Sequence, residues 1–456
     1  MAEVVVGRLE VQWGDVANGI EAEPAKLRVA LVTGRGVRYA LDSASATRAA
    51  GDLHGLTNRW VAVELSRQAV SVELRHASVI VPIDRPWLSP LSKSLLTPSP
   101  VLGNTRWITL ACKFKDVADE PRPTSFFQEQ YGTSVGQLGH YWSEVSQGKI
   151  NLQGSQAYGW FTLPKTRSQY MNVNGSGQEQ ANLGLLFDDC AALADPSVDF
   201  AGVRGINMMF NAILDGSAWG GTSCGTLDGR SVCLGTTWNP PWSFNNLALF
   251  AHEMGHGYGL PHSDNSDGDA DTYDNPWDLM SDYWSNALDH SRYGRLPKHL
   301  SVPQQDRLGW FDAPRKLTVV PSYAPVDVTL DRSSLVGSSN IQMLVLPEPL
   351  SQDGYSIEVR KRTGPGSYES QLAGDAVIIH KIGPSNLAYS VDADQPPATI
   401  SNNEGSMFKV GEQWRSPGNS VVRIKAATSE GFIVEVNRAR VTGGNLPPRS
   451  WPATPQ

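Results

Sequence analysis

Three histidines and one glutamate stand in the order His252-Glu253-x-x-His256-x-x-Gly259-x-x-His262, a spacing that can gather three nitrogen donors around one cation with a carboxylate beside it. On a helix, residues four apart lie about 40° apart around the axis and about 6 Å apart along it, so His252 and His256 can aim at one point. Glu253 follows the first of them, which places its carboxylate as a base for bound water rather than as another ligand. Gly259 lets the chain leave the helix in the left-handed conformation, which for glycine carries no Cβ clash, and Pro261 marks the stop. His262 can then swing in as a third neutral donor. Three protein ligands with an open fourth position is the arrangement of a catalytic zinc rather than of a closed structural one. With 9 His and 43 Gly in 456 residues, the five fixed positions coincide by chance in roughly one of 10^5 such chains.

The element that must carry these ligands is a helix entered at Ser243 as N-cap and running through Phe244 to Ala251, with Leu247, Phe250, Ala251 and Met254 as its buried stripe. The extended run is similar to the signature of the metzincin clan of zinc endopeptidases. That resemblance implies a methionine turn beneath the metal, and Asn275-Pro276-Trp277-Asp278-Leu279-Met280-Ser281 matches it with Met280. A methionine after a polar loop also serves as an ordinary core filler. Further blocks resemble the secreted immune inhibitor A-like and gametolysin-like peptidases: residues 139–150, the Trp277-Asp278-Leu279-Met280-Ser281 stretch, and Arg307-Leu308-Gly309-Trp310-Phe311. Together they span about residues 105 to 312. The immune inhibitor A type tends to carry Asp at the third ligand position, where this chain has His262.

What the resemblance implies is a zinc metalloendopeptidase, a hydrolase cutting peptide bonds of protein or peptide substrates through zinc-activated water, with Glu253 as general base. In several metzincins a tyrosine just past the turn stabilises the oxyanion. Tyr283 lies three residues after Met280, one more than in those members, and a core or pocket-wall aromatic is its other reading. A different class of function is an inactive metzincin-like lobe in a surface or glycan-binding protein; Glu253 speaks against it, because a structural metal site needs no base. A zinc hydrolase acting on a non-peptide amide is a third. No specificity pocket is legible.

Between His262 and Met280 lie Asp264, Asp267, Asp269 and Asp271, hard oxygens of the kind Ca²⁺ prefers, though not in EF-hand spacing; the alternatives are a calcium site and a solvated acidic loop. The four cysteines allow three pairings. The short Gly- and Ser-containing interval favours Cys224 with Cys233, leaving Cys112 with Cys190, against free buried thiols. None precedes Cys112, so no thiol is available to cap a metal from an N-terminal pro-segment.

A net charge of −8 argues against nucleic acid as a partner, and no apolar run approaches the about 20 residues of a transmembrane helix. The first residues carry no charged-then-apolar leader; a secreted or extracellular protein whose leader has been removed is the expectation. The organisation expected is multidomain α+β. Residues 1–85 read as a small β domain and candidate pro-segment, inhibitory or merely structural, and 86–101 as a Pro-rich linker. Residues 102–312 read as a metzincin-like α/β catalytic domain, with helical periodicity from Ser125 to Val145 and from Gly177 to Leu193, whose sheet edge could hold an extended peptide, with the Trp-rich stretch 219–242 as a candidate rim. Residues 313–440 read as a C-terminal β-sandwich, in which His380 ends a strand in a structural role, and 441–456 as a disordered tail.

Overall fold

The computed structural model describes residues 3–16, 26–69, 74–83, 99–268, 272–348, 354–383, 387–393 and 404–439. Most of the expected linker and the whole of the expected tail lie outside the described residues. The chain is mostly β, arranged in several sheets.

The first unit comprises β1 (Glu3–Val16), β2 (Lys26–Thr33), β3 (Arg38–Leu41), helix α1 (Ser43–Ala50), β4 (Trp60–Ala69) and β5 (Arg75–Pro82). β1 pairs antiparallel with β4 on one side and β2 on the other. β3 meets β5 in parallel at Leu41 and Arg75, which closes the order β1-β2-β3-β5-β4-β1 into a small barrel. Leu9, Val11, Leu31, Leu41, Val61 and Val63 fill it. Asp42 starts α1 by accepting the Ser45 amide at 2.8 Å.

β1 does not end with the barrel. Its last five residues, Gln12 to Val16, pair antiparallel with Gly221 to Ser217, so the barrel and the central sheet form one continuous ten-stranded array. The central unit contributes β6 (Trp107–Lys113), α2 (Thr124–Gln130), α3 (Leu138–Val145), β7 (Gln156–Thr162), α4 (Leu183–Ala194), β8 (Gly205–Phe210), β9 (Ser217–Leu227), β10 (Arg230–Asn239) and α5 (Leu247–Tyr258). From β1 the order continues β9-β10-β8-β6-β7. β10, β8, β6 and β7 are parallel, and β9 alone runs against them. β6 and β8 are buried on both faces, as a parallel sheet with helices above and below requires. α5, α2 and α3 share one core and α4 packs into the other.

Both expected disulfides are present. Cys112–Cys190 ties β6 to α4, and Cys224–Cys233 joins directly paired residues of β9 and β10. Bridges of this kind suit an oxidising compartment. Among the described residues no helix is long and apolar enough to cross a membrane.

Three expectations are corrected. The periodic stretch from 125 to 145 is two helices, broken at Tyr131–Gln137. The stretch from 177 to 193 begins with a strand, Glu179–Ala181, and becomes helical only where Asn182 accepts the Leu185 amide at 3.0 Å. The Trp-rich stretch 219–242 is, up to Asn239, a hairpin rather than an exposed aromatic loop: Trp219 and Trp238 pair across β9 and β10 and are fully buried, because this sheet is covered on both faces.

The chain beyond Trp310, joined by the short strand Asp264–Asn265, forms two sheets that face each other. The larger is ordered Asp264–Asn265, Ala388–Ser390, Ala376–Ile382, Gly354–Arg360, Met343–Pro347, Lys316–Thr318; the smaller Val326–Asp331, Gly431–Arg438, Ser420–Ala427, Gln413–Arg415. Leu330, Val422 and Val434 meet Leu344, Ile357 and Ile379 between them. The opposite face of the larger sheet packs on the central unit through Ile378 and Ala376 against Trp277. His380 is buried there, 2.8 Å from Glu358.

Candidate metal centre

The helix that presents the first two histidines begins later than its sequence suggests. Pro241–Ser243 forms a separate 3-10 turn, and the side chain of Asn246, not Ser243, caps α5 by accepting the Leu249 amide at 3.1 Å. Two consecutive prolines, Pro240 and Pro241, favour that preliminary turn and delay the helix. Every residue of α5 is buried, not a single stripe, because the helix lies on the sheet and is covered by the strand Gly294–Leu296 and the turn that carries Met280. It approaches the sheet at Gly220, where a Cβ would stand 2.5 Å from the Glu253 carbonyl oxygen. Gly259 ends the helix at φ +98, the left-handed stop that brings His262 back.

The three imidazoles converge. The Nε2 atoms of His252, His256 and His262 lie 3.1 Å from one another in all three pairings. The Nδ1 of His252 donates to the Leu279 carbonyl at 2.6 Å and that of His256 to the Leu260 carbonyl at 2.8 Å. These bonds put the proton of both rings on Nδ1 and turn the Nε2 lone pairs inward. Three lone pairs pointed at one another repel; a cation among them removes the conflict. Burial drives His256 down to about 3 and also lowers His262, which keeps both in the neutral form a ligand needs.

A fourth member of the group comes from a distant part of the chain. Asp15, on β1 of the barrel, is fully buried with Oδ1 3.1 Å from His262 Nε2 and 3.4 Å from His252 Nε2, and with Oδ2 3.7 Å from His256 Nε2. Among the described residues, Asp15, His252, His256 and His262 are the only group of three or more side chains placed to hold a metal ion. Burial disfavours the Asp15 charge, yet His252 and His262 outweigh it and hold the carboxyl well below its ordinary range. In return Asp15 raises His252 against the effect of burial. The only signal of it in the sequence is a charged residue inside the apolar strand Val11-Gln12-Trp13-Gly14-Asp15-Val16, where Asp is disfavoured. A strand 237 positions upstream of His252 cannot be paired with it from one sequence.

Glu253 is fully buried beside this group, with neither carboxylate oxygen accepting a hydrogen bond. Burial first, and the negative Asp15 second, push its pKa well above the usual carboxylate value. Met280 is fully buried under α5: a Cβ on Gly255 would lie 2.4 Å from its Sδ. The turn that carries it is tightly held. Asp278 accepts the Met280 amide at 3.0 Å and the Ser301 hydroxyl, and Arg360 donates to the Trp277 carbonyl.

Two tyrosines reach the same place. Tyr283, ring to ring 6.0 Å from His252 and fully buried in the same core as α5, donates to the Val16 carbonyl at 3.1 Å, so its ring packs in the core while its hydroxyl meets β1. Tyr273, which no sequence motif marks, donates to Asp15 Oδ1 at 2.7 Å. Of the candidate calcium ligands, Asp269 and Asp271 lie outside the described residues. Asp264 starts a short strand paired with Tyr389, and the Asp267 amide is bonded by Asn265 at 2.7 Å; neither belongs to a cluster of metal-ligand type among the described residues.

Comparison of the chain with protein-family models, with curated proteins and with solved structures gives no match.

Proposed function

We propose that this protein is a zinc-dependent endopeptidase of metzincin type. The observation that carries the reading is the convergence of three inward-facing Nε2 atoms, 3.1 Å apart, next to a buried carboxylate that accepts no hydrogen bond. Ligands at about 2.0–2.1 Å in a tetrahedron are about 3.3 Å from one another, so the spacing suits zinc. The carbonyl bonds to Nδ1 of His252 and His256 supply the outer support that such ligands ordinarily have.

When bound, zinc supplies Lewis acidity to water and to a peptide carbonyl. The rest is done by the chain. Glu253, whose proton affinity is raised by burial and by the neighbouring Asp15 charge, takes a proton from the attacking water and delivers it to the departing amine nitrogen. Tyr283, whose hydroxyl donates to the Val16 carbonyl of β1, would donate to a substrate carbonyl instead as negative charge grows there. β9 runs antiparallel to the rest of the central sheet, and where the end of β1 pairs with it, from Gly221 to Ser217, an extended peptide in place of β1 would find the same ladder of backbone partners, which suits cleavage within a chain.

The test is zinc content and hydrolysis of a mixed peptide library by the protein and by its Glu253→Gln variant. Because Asp15 covers the histidines, both are measured also in the Asp15→Ala background. One zinc per chain is expected throughout, with cleavage lower by roughly 10²–10⁴ without the Glu253 carboxylate. Zinc-loaded Asp15→Ala protein that cuts no peptide, or that cuts equally well once Glu253→Gln is added, ends the reading.

A further inference from the structure

The segment between the third histidine and the methionine turn supplies a side chain that the proposed hydrolysis leaves unused. Tyr273 is buried, its ring centre 5.8 Å from that of His262 and 5.4 Å from that of Trp284. Its hydroxyl donates to Asp15 Oδ1 at 2.7 Å. That oxygen stands 3.1 Å from His262 Nε2 and 3.4 Å from His252 Nε2, and ligands around one zinc stand about 3.3 Å apart. It therefore marks where an oxygen atom meets the open side of the three nitrogens, and the Tyr273 O–H is aimed at an atom in that position. The two tyrosines approach from different histidines, Tyr273 beside His262 and Tyr283 beside His252, so their hydroxyls flank the site.

The loop that carries Tyr273 is held on both sides of it. The Thr272 carbonyl accepts the hydroxyl of Ser281, next to Met280, at 2.9 Å. Asp274 accepts the amide of Asn265, three residues past His262, at 2.7 Å. One bond ties the loop to the turn beneath the site, and the other to the chain leaving the third ligand. A donor fixed in this way needs no reorganisation when charge develops on the atom it faces.

We infer that Tyr273 is a further catalytic residue, whose hydroxyl donates to the substrate carbonyl oxygen at the open side of the histidines as that oxygen gains charge. The inference rests on the zinc peptidase reading above and adds a second donor to Tyr283. No proton leaves Tyr273 and no bond of its own is broken: Glu253 still carries the proton from water to the amine, and the phenol stabilises the charge through one hydrogen bond. Its place before the methionine turn, in a loop otherwise read as acidic and solvated, is why no motif marks it.

The test compares the full-length Asp15→Ala chain with and without Tyr273→Phe. In that background the bond from Tyr273 to Asp15 is already gone, so what the phenol does for Asp15 cannot enter the comparison. On one peptide taken from those the zinc-loaded Asp15→Ala protein cuts, Tyr273→Phe should lower kcat by roughly 10²-fold with KM nearly unchanged. With cobalt(II) in place of zinc, the visible spectrum should report acetohydroxamate binding about tenfold or more weaker once the hydroxyl is removed. Thermal unfolding of the two proteins should nearly coincide. A melting temperature that falls while kcat and acetohydroxamate affinity hold would make Tyr273 a packing residue and overturn the inference, leaving the zinc peptidase reading in place. An Asp15→Ala protein that takes up no metal, or cuts no peptide, removes both.

Discussion

The histidine site is gripped from two sides, by the barrel and by the C-terminal sheets, and the two grips differ in what they touch. From the barrel side β1 covers the open face of the imidazoles, where a reactant would have to come. From the other side Arg360, fully buried, bonds Glu369 at 2.9 and 2.7 Å and the carbonyl of Trp277; Glu369 in turn accepts the His299 amide at 3.0 Å. Those bonds hold the turn that ends in Met280, whose neighbour Leu279 orients His252. One contact stands where chemistry would happen, and the other supports the floor beneath it. Loss of the first should free the site, whereas loss of the second should dismantle it.

The largest effect should come from breaking the floor. Arg360→Ala leaves Glu369 charged and buried without its partner, a change that costs about 3–5 kcal/mol. Urea denaturation should show that loss, together with weaker metal retention; Asp15→Ala should retain its metal. An Arg360→Ala protein as stable as wild type would erase the contrast.

Acid should sharpen it. Burial opposes the charge on Glu369, but Arg360 and then His299 overcome this and lower its pKa in the folded protein. A carboxylate so depressed contributes stability that is fully present above its unfolded value of about 4.3 and is lost as pH falls through the folded value. The melting temperature should therefore drop on acidification below the ordinary carboxylate range, and the drop attributable to this group should vanish in Glu369→Gln. An unchanged acid dependence in that variant would assign the loss elsewhere.

The smallest effect tests the helix common to both sides. Asn246→Ala should cost about 1 kcal/mol through loss of the α5 cap, while Ser243→Ala, outside the helix, should leave α5 intact. Thermal unfolding of the two variants side by side decides between them.

The same contrast explains what the sequence can and cannot say. His252, Glu253, His256, Gly259 and His262 are legible because the chemistry is local: helix pitch and one glycine stop dictate the geometry. The disulfide pairs follow from a short interval and elimination. Asp15 is not legible, since it depends on a strand joining a sheet across more than two hundred residues. Arg360 is hidden for another reason. In Ile357-Glu358-Val359-Arg360 the alternation separates charged from apolar residues and reads as one wet face, but that face is sealed against Trp277, and its charges find partners there. The Trp-rich hairpin misleads in the opposite direction, its glycines and serines suggesting a surface loop where the sheet needs close packing on both faces.

The length of β1 has one more consequence. Residues Gln12 to Gly14 are bonded into β2 as well as β9, whereas Asp15 and Val16 are paired, among the described residues, with β9 alone. At that end the strand is also held through side chains, Asp15 accepting from Tyr273 and the Val16 carbonyl from Tyr283. Uncovering the histidines therefore means drawing the two tyrosines off as well, and amide exchange at Asp15 and Val16 as slow as at Trp13 would report that shared anchorage directly.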